Sequence, residues 1–128
     1  MTVLDTEQEQ FACDGISVVG LEGEIDIATA RDVHARLAER AAHGCVVADL
    51  AGVAFIDASG INALVGAMRD AAREGRHLLL AAPPRQLSRI LDVLTLHSVL
   101  PTYPTAGAAL AAHTRAAHAS GRVPPQAV

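Results

Sequence analysis

The sequence predicts an α/β fold: a mixed sheet, parallel where crossover helices join its strands, with helices packed against it. Three observations predict this. Two apolar runs, Cys45–Leu50 and His77–Ala82, are continuous rather than alternating, as in strands buried on both faces. Segments with apolar residues at helical spacing lie between and after them, bounded by Gly or Pro. Ahead of both, short apolar runs flank Asp14-Gly15, a strong turn pair that reads as an antiparallel hairpin.

Taken in order, the hairpin pairs about Glu9–Asp14 with Ile16–Ile25, the second strand carrying Val18, Val19 and Leu21. From Ala28 to Ala42 the residues Ala30, Val33, Leu37, Ala38 and Ala41 keep helical spacing; Thr29 followed by Asp32 suggests an N-terminal cap, and Gly44 a stop. The Cys45–Leu50 strand follows. Ile61, Leu64, Val65, Met68, Ala71 and Ala72 then repeat as a second helix that ends at Gly75. After the His77 strand, Pro83-Pro84 breaks the chain, and Leu87, Ile90, Leu91 and Leu94 define a short amphipathic helix over Gln86–Leu94. Val99–Tyr103 is a weak strand that Pro101 confines to a sheet edge. Thr105 caps a last Ala-rich helix through Ala106, Ala109, Leu110, Ala112 and His113. Residues 1–119 read as one domain, and the Gly- and Pro-containing segment 120–128 as a flexible tail.

Composition narrows the function. A chain of 128 residues with 51% hydrophobic and 19% charged residues can bury one core. With no Trp, one Tyr and two Phe it lacks aromatic platforms for bases, and a net charge of -4 argues against direct nucleic-acid binding. Seven acids and no basic residue occupy the first 26 positions, so one edge is acidic, either as a solvated strand pair or as a surface for a basic partner. Cys13 and Cys45 form no disulfide framework and fit a reducing compartment. The N-terminus lacks the charged and apolar blocks of a signal peptide, and no run approaches the ~20 apolar residues of a membrane span, so a cytoplasmic protein without membrane insertion is expected.

The residue that calls for an explanation is Ser59, in Phe55-Ile56-Asp57-Ala58-Ser59-Gly60-Ile61-Asn62 between a strand and a helix. Unpaired N–H groups at a helix start carry about half a positive charge, so a phosphate there would be partly accommodated. The plainer reading is a helix cap. A nucleophile-elbow Gly-x-Ser-x-Gly is absent because Asp57 stands where the first Gly belongs, so a serine hydrolase is not expected and the chain reads as a non-enzyme. His34, His43, His77, His97, His113 and His118 are scattered, and none pairs with another or with Cys at metal-ligand spacing, so no metal is expected. No dinucleotide or Gly-Lys-Ser/Thr loop is present, so no cofactor is expected either. Asp26, Asp49 and Asp57 lie near strand ends, where they either gather around Ser59 or cap turns.

Leu21-Glu22-Gly23-Glu24-Ile25-Asp26, Val47-Ala48-Asp49-Leu50-Ala51-Gly52-Val53 and above all Phe55-Ile56-Asp57-Ala58-Ser59-Gly60, followed by Leu78-Leu79-Leu80 and a closing Ala-rich helix, resemble the STAS domain of bacterial anti-sigma factor antagonists and sulfate-transporter tails. The resemblance spans about Val18 to Leu110 and implies a mixed four- to five-stranded sheet flanked by about four helices. It also implies a serine, matching Ser59, that a partner anti-sigma factor serine kinase phosphorylates with ATP and a serine phosphatase restores. Such antagonists bind the anti-sigma factor when unphosphorylated and free its sigma factor. Asp26 and Asp57 match acidic positions that engage the kinase, and with Ala58, Ser59, Gly60 and Asn62 they form the expected partner-binding set. The family often carries Ser or Thr beside the acceptor; Ala58 here leaves one acceptor. A monomer or weak dimer is expected. The same resemblance also fits a non-catalytic STAS scaffold subunit of a lipid-transport or stress-signalling complex, in which Ser59 would be only a cap.

Overall fold

The computed structural model describes the backbone of residues 15–120 and the side chains of residues 15–114. The elements in chain order are β1 (Ile16–Ile25), α1 (Ala30–Ala41), β2 (Cys45–Ile56), α2 (Ala58–Arg73), β3 (Leu78–Ala81), α3 (Arg85–Val93), β4 (Thr102–Tyr103) and α4 (Ala106–Ser120). The four described strands form one sheet in the order β1-β2-β3-β4, and every pairing is parallel. The antiparallel partner expected over Glu9–Asp14 and the tail from residue 121 lie outside the described residues; Ser120, expected in the tail, still belongs to α4.

This sequential order dictates where the helices go. Parallel neighbours joined by crossovers of one hand place every crossover helix on the same face. Accordingly, the larger core cluster joins Val33 and Leu37 of α1, Leu64, Ala67 and Ala71 of α2, and Leu87 and Leu91 of α3 to Val46, Ala48, Leu50 and Leu80 of the sheet. The opposite face is left to α4, where Ala109, with Ala106 and Leu110 packed beside it, meets Val47, Leu79 and Ala81. The Cys45–Leu50 part of β2 and the whole of β3 are therefore buried on both faces, which explains their unbroken apolar runs.

The main departure from the sequence reading is β2, which runs on to Ile56 rather than ending at Leu50. Ala51-Gly52 lies at an irregularity within the strand: Glu22 pairs with Gly52, Glu24 with Phe55 and Ile25 with Ile56, with register shifts at Gly20/Glu22 and Gly23/Glu24. Gly23 has φ 77, a conformation that costs glycine little. Asp49 is consequently inside β2, opposite Gly20 and Ala81, and its carboxylate accepts the Ala51 N–H at 3.1 Å.

The helix ends largely follow the sequence. Gly75, at φ 72, closes α2: its N–H reaches the Ala72 carbonyl, and Arg76 N–H reaches that of Ala71. α3 closes in the same manner through Thr95, at φ 53, with bonds to Asp92 and Leu91. Thr29 occupies the N-cap of α1 without capping it. Its hydroxyl turns back, accepting the Asp26 N–H at 3.0 Å and donating to the Glu24 carbonyl at 2.9 Å. α1 and α2 pack closely at Gly66, where a Cβ would sit 2.8 Å from the His34 ring, and His34 Nε2 lies 2.7 Å from Asp70 Oδ2 one turn along α2.

Candidate functional site

β1 and β2 end side by side. Ile25 pairs with Ile56, and the Asp57 N–H donates to the Ile25 carbonyl at 3.2 Å, so the loops that begin at Asp26 and Asp57 start from neighbouring points on the sheet rim. The C-terminal rim of a parallel sheet is where loops and helix N-termini offer groups to ligands and partners.

Each carboxylate at this rim organises its own backbone. Asp26 Oδ1 accepts the N–H of Ala28 at 3.0 Å and of Thr29 at 3.3 Å, forming the turn that leads into α1. Asp57, extended at φ -110, is the N-cap of α2, and its Oδ1 accepts the Gly60 N–H at 3.1 Å. Asp49, seven residues upstream of Ile56 along β2, does not join them.

Ser59 is therefore not the cap. It occupies the second position of α2, half-buried, and its hydroxyl has no hydrogen-bond partner among the described residues. Ala58 and Asn62, one turn apart, are exposed beside it. Gly60 faces inward. A Cβ there would lie 2.6 Å from Ile56 Cγ1 and 2.7 Å from the Ile25 carbonyl oxygen, so this glycine lets α2 start against the ends of both strands and presents no side chain to a partner. Beside these groups stand two large apolar residues that sequence patterning passed over: Ile27, 82% exposed, and Phe55, 42% exposed. Ile27 interrupts the polar turn between Asp26 and Thr29, which was the available signal.

A family comparison decides how this arrangement is classified: the STAS domain model matches residues 12–109 of the 128. The chain belongs to the STAS domain family. Among solved structures, this STAS domain is similar to an anti-sigma factor antagonist from Mycobacterium paratuberculosis at 29% identity and TM-score 0.68, over 79% of this chain and 87% of the other. It also resembles a sulfate transporter family protein from Wolinella succinogenes, at 20% identity and TM-score 0.65 over 84% and 91% of the two chains. The phosphorylated form of the Bacillus cell fate determinant SpoIIAA matches at 22% identity and TM-score 0.57, over 74% and 87%. The last two likenesses bear on the fold alone. No helix among the described residues of this STAS domain is long and apolar enough to cross a membrane.

At the other end of the sheet the fold gathers residues that the sequence reading treated as scattered. Cys45 opens β2, His77 precedes β3 and His113 lies on α4, yet one donor atom from each lies within 4.8 Å of the others. Cys45 and His77 are 32 positions apart in sequence, so no local spacing could announce the grouping.

Proposed function

We propose that this chain is an anti-sigma factor antagonist, active as a binding partner while Ser59 is unphosphorylated and switched off by phosphorylation there. The observation that carries the reading is the division of labour at the start of α2: Asp57 caps the helix, so the Ser59 hydroxyl is spared for chemistry at an exposed rim. The name of the Mycobacterium paratuberculosis neighbour supports it.

Ala58, Asn62, Ile27 and Phe55 supply the surface on which an anti-sigma factor serine kinase docks, with Asp26 and Asp57 as the acidic groups beside the acceptor. The kinase brings ATP, a serine phosphatase removes the phosphate, and the antagonist itself is substrate and competitor rather than catalyst. Docking displaces the sigma factor held by the same kinase.

Electrostatics suits a switch of interface rather than of fold. A phosphate adds about 1.5 to 2 negative charges, which the N-terminus of α2 attracts and the Asp57 carboxylate repels. These opposing terms act within one helical turn, whereas a docked partner meets the full added charge and its hydration shell.

The test is incubation of the full chain with a kinase-type anti-sigma factor from the same genome and ATP, followed by intact-mass measurement and a binding assay. One added phosphate, absent from Ser59→Ala, and loss of partner binding in Ser59→Asp are expected. An unmodified wild type whose binding is indifferent to Ser59→Asp would overturn the reading.

A further inference from the structure

Cys45, His77 and His113 come from three elements and converge on the face of the sheet that α4 covers. Cys45 precedes Val47 by two residues and His77 precedes Leu79 by two, so both share the face of those α4-packed residues. His113 follows Ala109 by one helical turn, on the stripe by which α4 meets the sheet. Cys45 is fully buried, His77 is half-buried, and the two imidazole rings meet edge to face with centroids 5.3 Å apart.

Two features of the cluster point to a ligand. The Cys45 Sγ and His77 Nδ1 atoms lie 3.4 Å apart. Two such donors on one tetrahedral zinc ion, with bonds of about 2.3 Å to sulfur and 2.0–2.1 Å to nitrogen, stand roughly 3.5 Å apart. Independently, the buried Nε2 of His113 has no hydrogen-bond partner among the described residues. A buried polar atom left unpaired costs about 1–3 kcal/mol, and native proteins seldom leave one without a reason. The ring is held in place by the packing of α4 and already sits among the other two donors.

We propose that Cys45, His77 and His113 form a divalent metal site selective for zinc-class ions. One thiolate and two imidazoles are donors for an ion of borderline softness, whereas magnesium and calcium call for oxygen. On binding, the Cys45 thiol loses its proton to solvent, one zinc–sulfur and two zinc–nitrogen bonds form, and all but one of the waters coordinated to the hydrated ion leave. The fourth tetrahedral position keeps a water, since the described residues supply three donors. The ion ties β2, β3 and α4 together on the face where, among the described residues, Ala106, Ala109 and Leu110 pack α4 against the sheet. The site stands at the N-terminal end of β2, whereas Ser59 follows its C-terminal end, about 30–35 Å along the strand. The proposal therefore does not rest on the antagonist reading.

The test uses the full chain, stripped with a chelator and titrated with Co2+ as a spectroscopic probe and then with Zn2+. One equivalent of Co2+ is expected to give a sulfur-to-cobalt charge-transfer band and d–d bands of tetrahedral intensity, both abolished by Zn2+, and Zn2+ is expected to raise the Tm. Cys45→Ala and His113→Gln should each weaken Zn2+ binding by more than the roughly 10- to 100-fold that loss of an outer-shell partner costs. His34→Gln, which removes a histidine outside the cluster, should leave it unchanged. A wild-type chain with no charge-transfer band, or a band that survives Cys45→Ala, overturns the proposal. So does Zn2+ binding that falls with His34→Gln and not with His113→Gln. The wild-type titration stands even if a variant does not fold.

Discussion

The carbonyl oxygen of Ile25 lies 2.7 Å from the point where a Cβ on Gly60 would sit. The backbone of β1 therefore limits residue 60 to glycine, and it does so one position after the proposed phosphate acceptor. Real Cβ atoms do not approach a carbonyl oxygen so closely, and a strand end held by the Asp57 N–H cannot yield without loosening the rim.

Gly60→Ala accordingly overpacks the junction of β1, β2 and α2. A destabilisation of about 1–3 kcal/mol is expected, the range for inserting a methyl into a filled site, although alanine has the higher helix propensity. Urea unfolding of the variant and wild type checks it. Equal stability would show that the strand ends can move apart, and that Gly60 has no steric task.

Asp57 and Ser59 should separate cleanly in mutagenesis. Asp57→Ala removes the carboxylate that accepts the Gly60 N–H and should cost about 0.5–2 kcal/mol, with Asp57→Asn retaining most of the cap. Ser59→Ala removes a hydroxyl without a partner among the described residues and should change stability by no more than about 0.5 kcal/mol. The reverse ranking, read from denaturant midpoints at unchanged m-value, would restore Ser59 as the cap.

The same contrast shows what the sequence could and could not convey. Apolar continuity located β2 and β3, and helical spacing with Gly75 located α2, because burial and periodicity are local signals. Which of Asp57 and Ser59 caps α2 is a matter of two residues of helix phase, and both are good N-cap types. The extension of β2 past Leu50 was hidden because Ala51-Gly52, at the register shift, interrupts the run of large apolar residues. Thr95 at φ 53 gave no warning, since a β-branched residue is the least expected at a left-handed helix stop. Cys45, His77 and His113 meet through sheet order and the return of α4, a relationship that no window along the chain contains.

The α1–α2 contact carries a pH signature. Asp70 accepts from His34 across the helices and from Arg73 one turn away at 2.6 Å, and the His34 hydrogen bond is the main reason its carboxyl titrates below the usual 3.8. A carboxylate whose folded pKa is lowered stabilises the native state fully above its unfolded pKa, and the contribution disappears as pH falls through the folded value. Wild type should therefore exceed Asp70→Asn in unfolding free energy near neutral pH, and the gap should shrink as the pH drops below 3.8. A gap independent of pH would mean that the pairing gains nothing from the charge on Asp70.

Ile27 gives the docking surface its sharpest test. At 82% exposure it contributes little to the core, so Ile27→Ser should leave stability within about 0.5 kcal/mol of wild type. Yet its side chain stands in the turn beside Asp26, on the rim that also carries Ser59. Burying it against a partner would make it an anchor, for which truncation costs upwards of about 1 kcal/mol, or several-fold in affinity. Val18→Ser is the matched control, because Val18 is also a partly exposed apolar residue of the β1 region but lies towards the opposite end of the strand. Calorimetric titration of the unphosphorylated chain into the anti-sigma factor should show weaker binding for Ile27→Ser and none of that loss for Val18→Ser. Equal effects of the two substitutions would place the partner elsewhere on the domain, and would leave Ser59 without a reason to act through an interface at this rim.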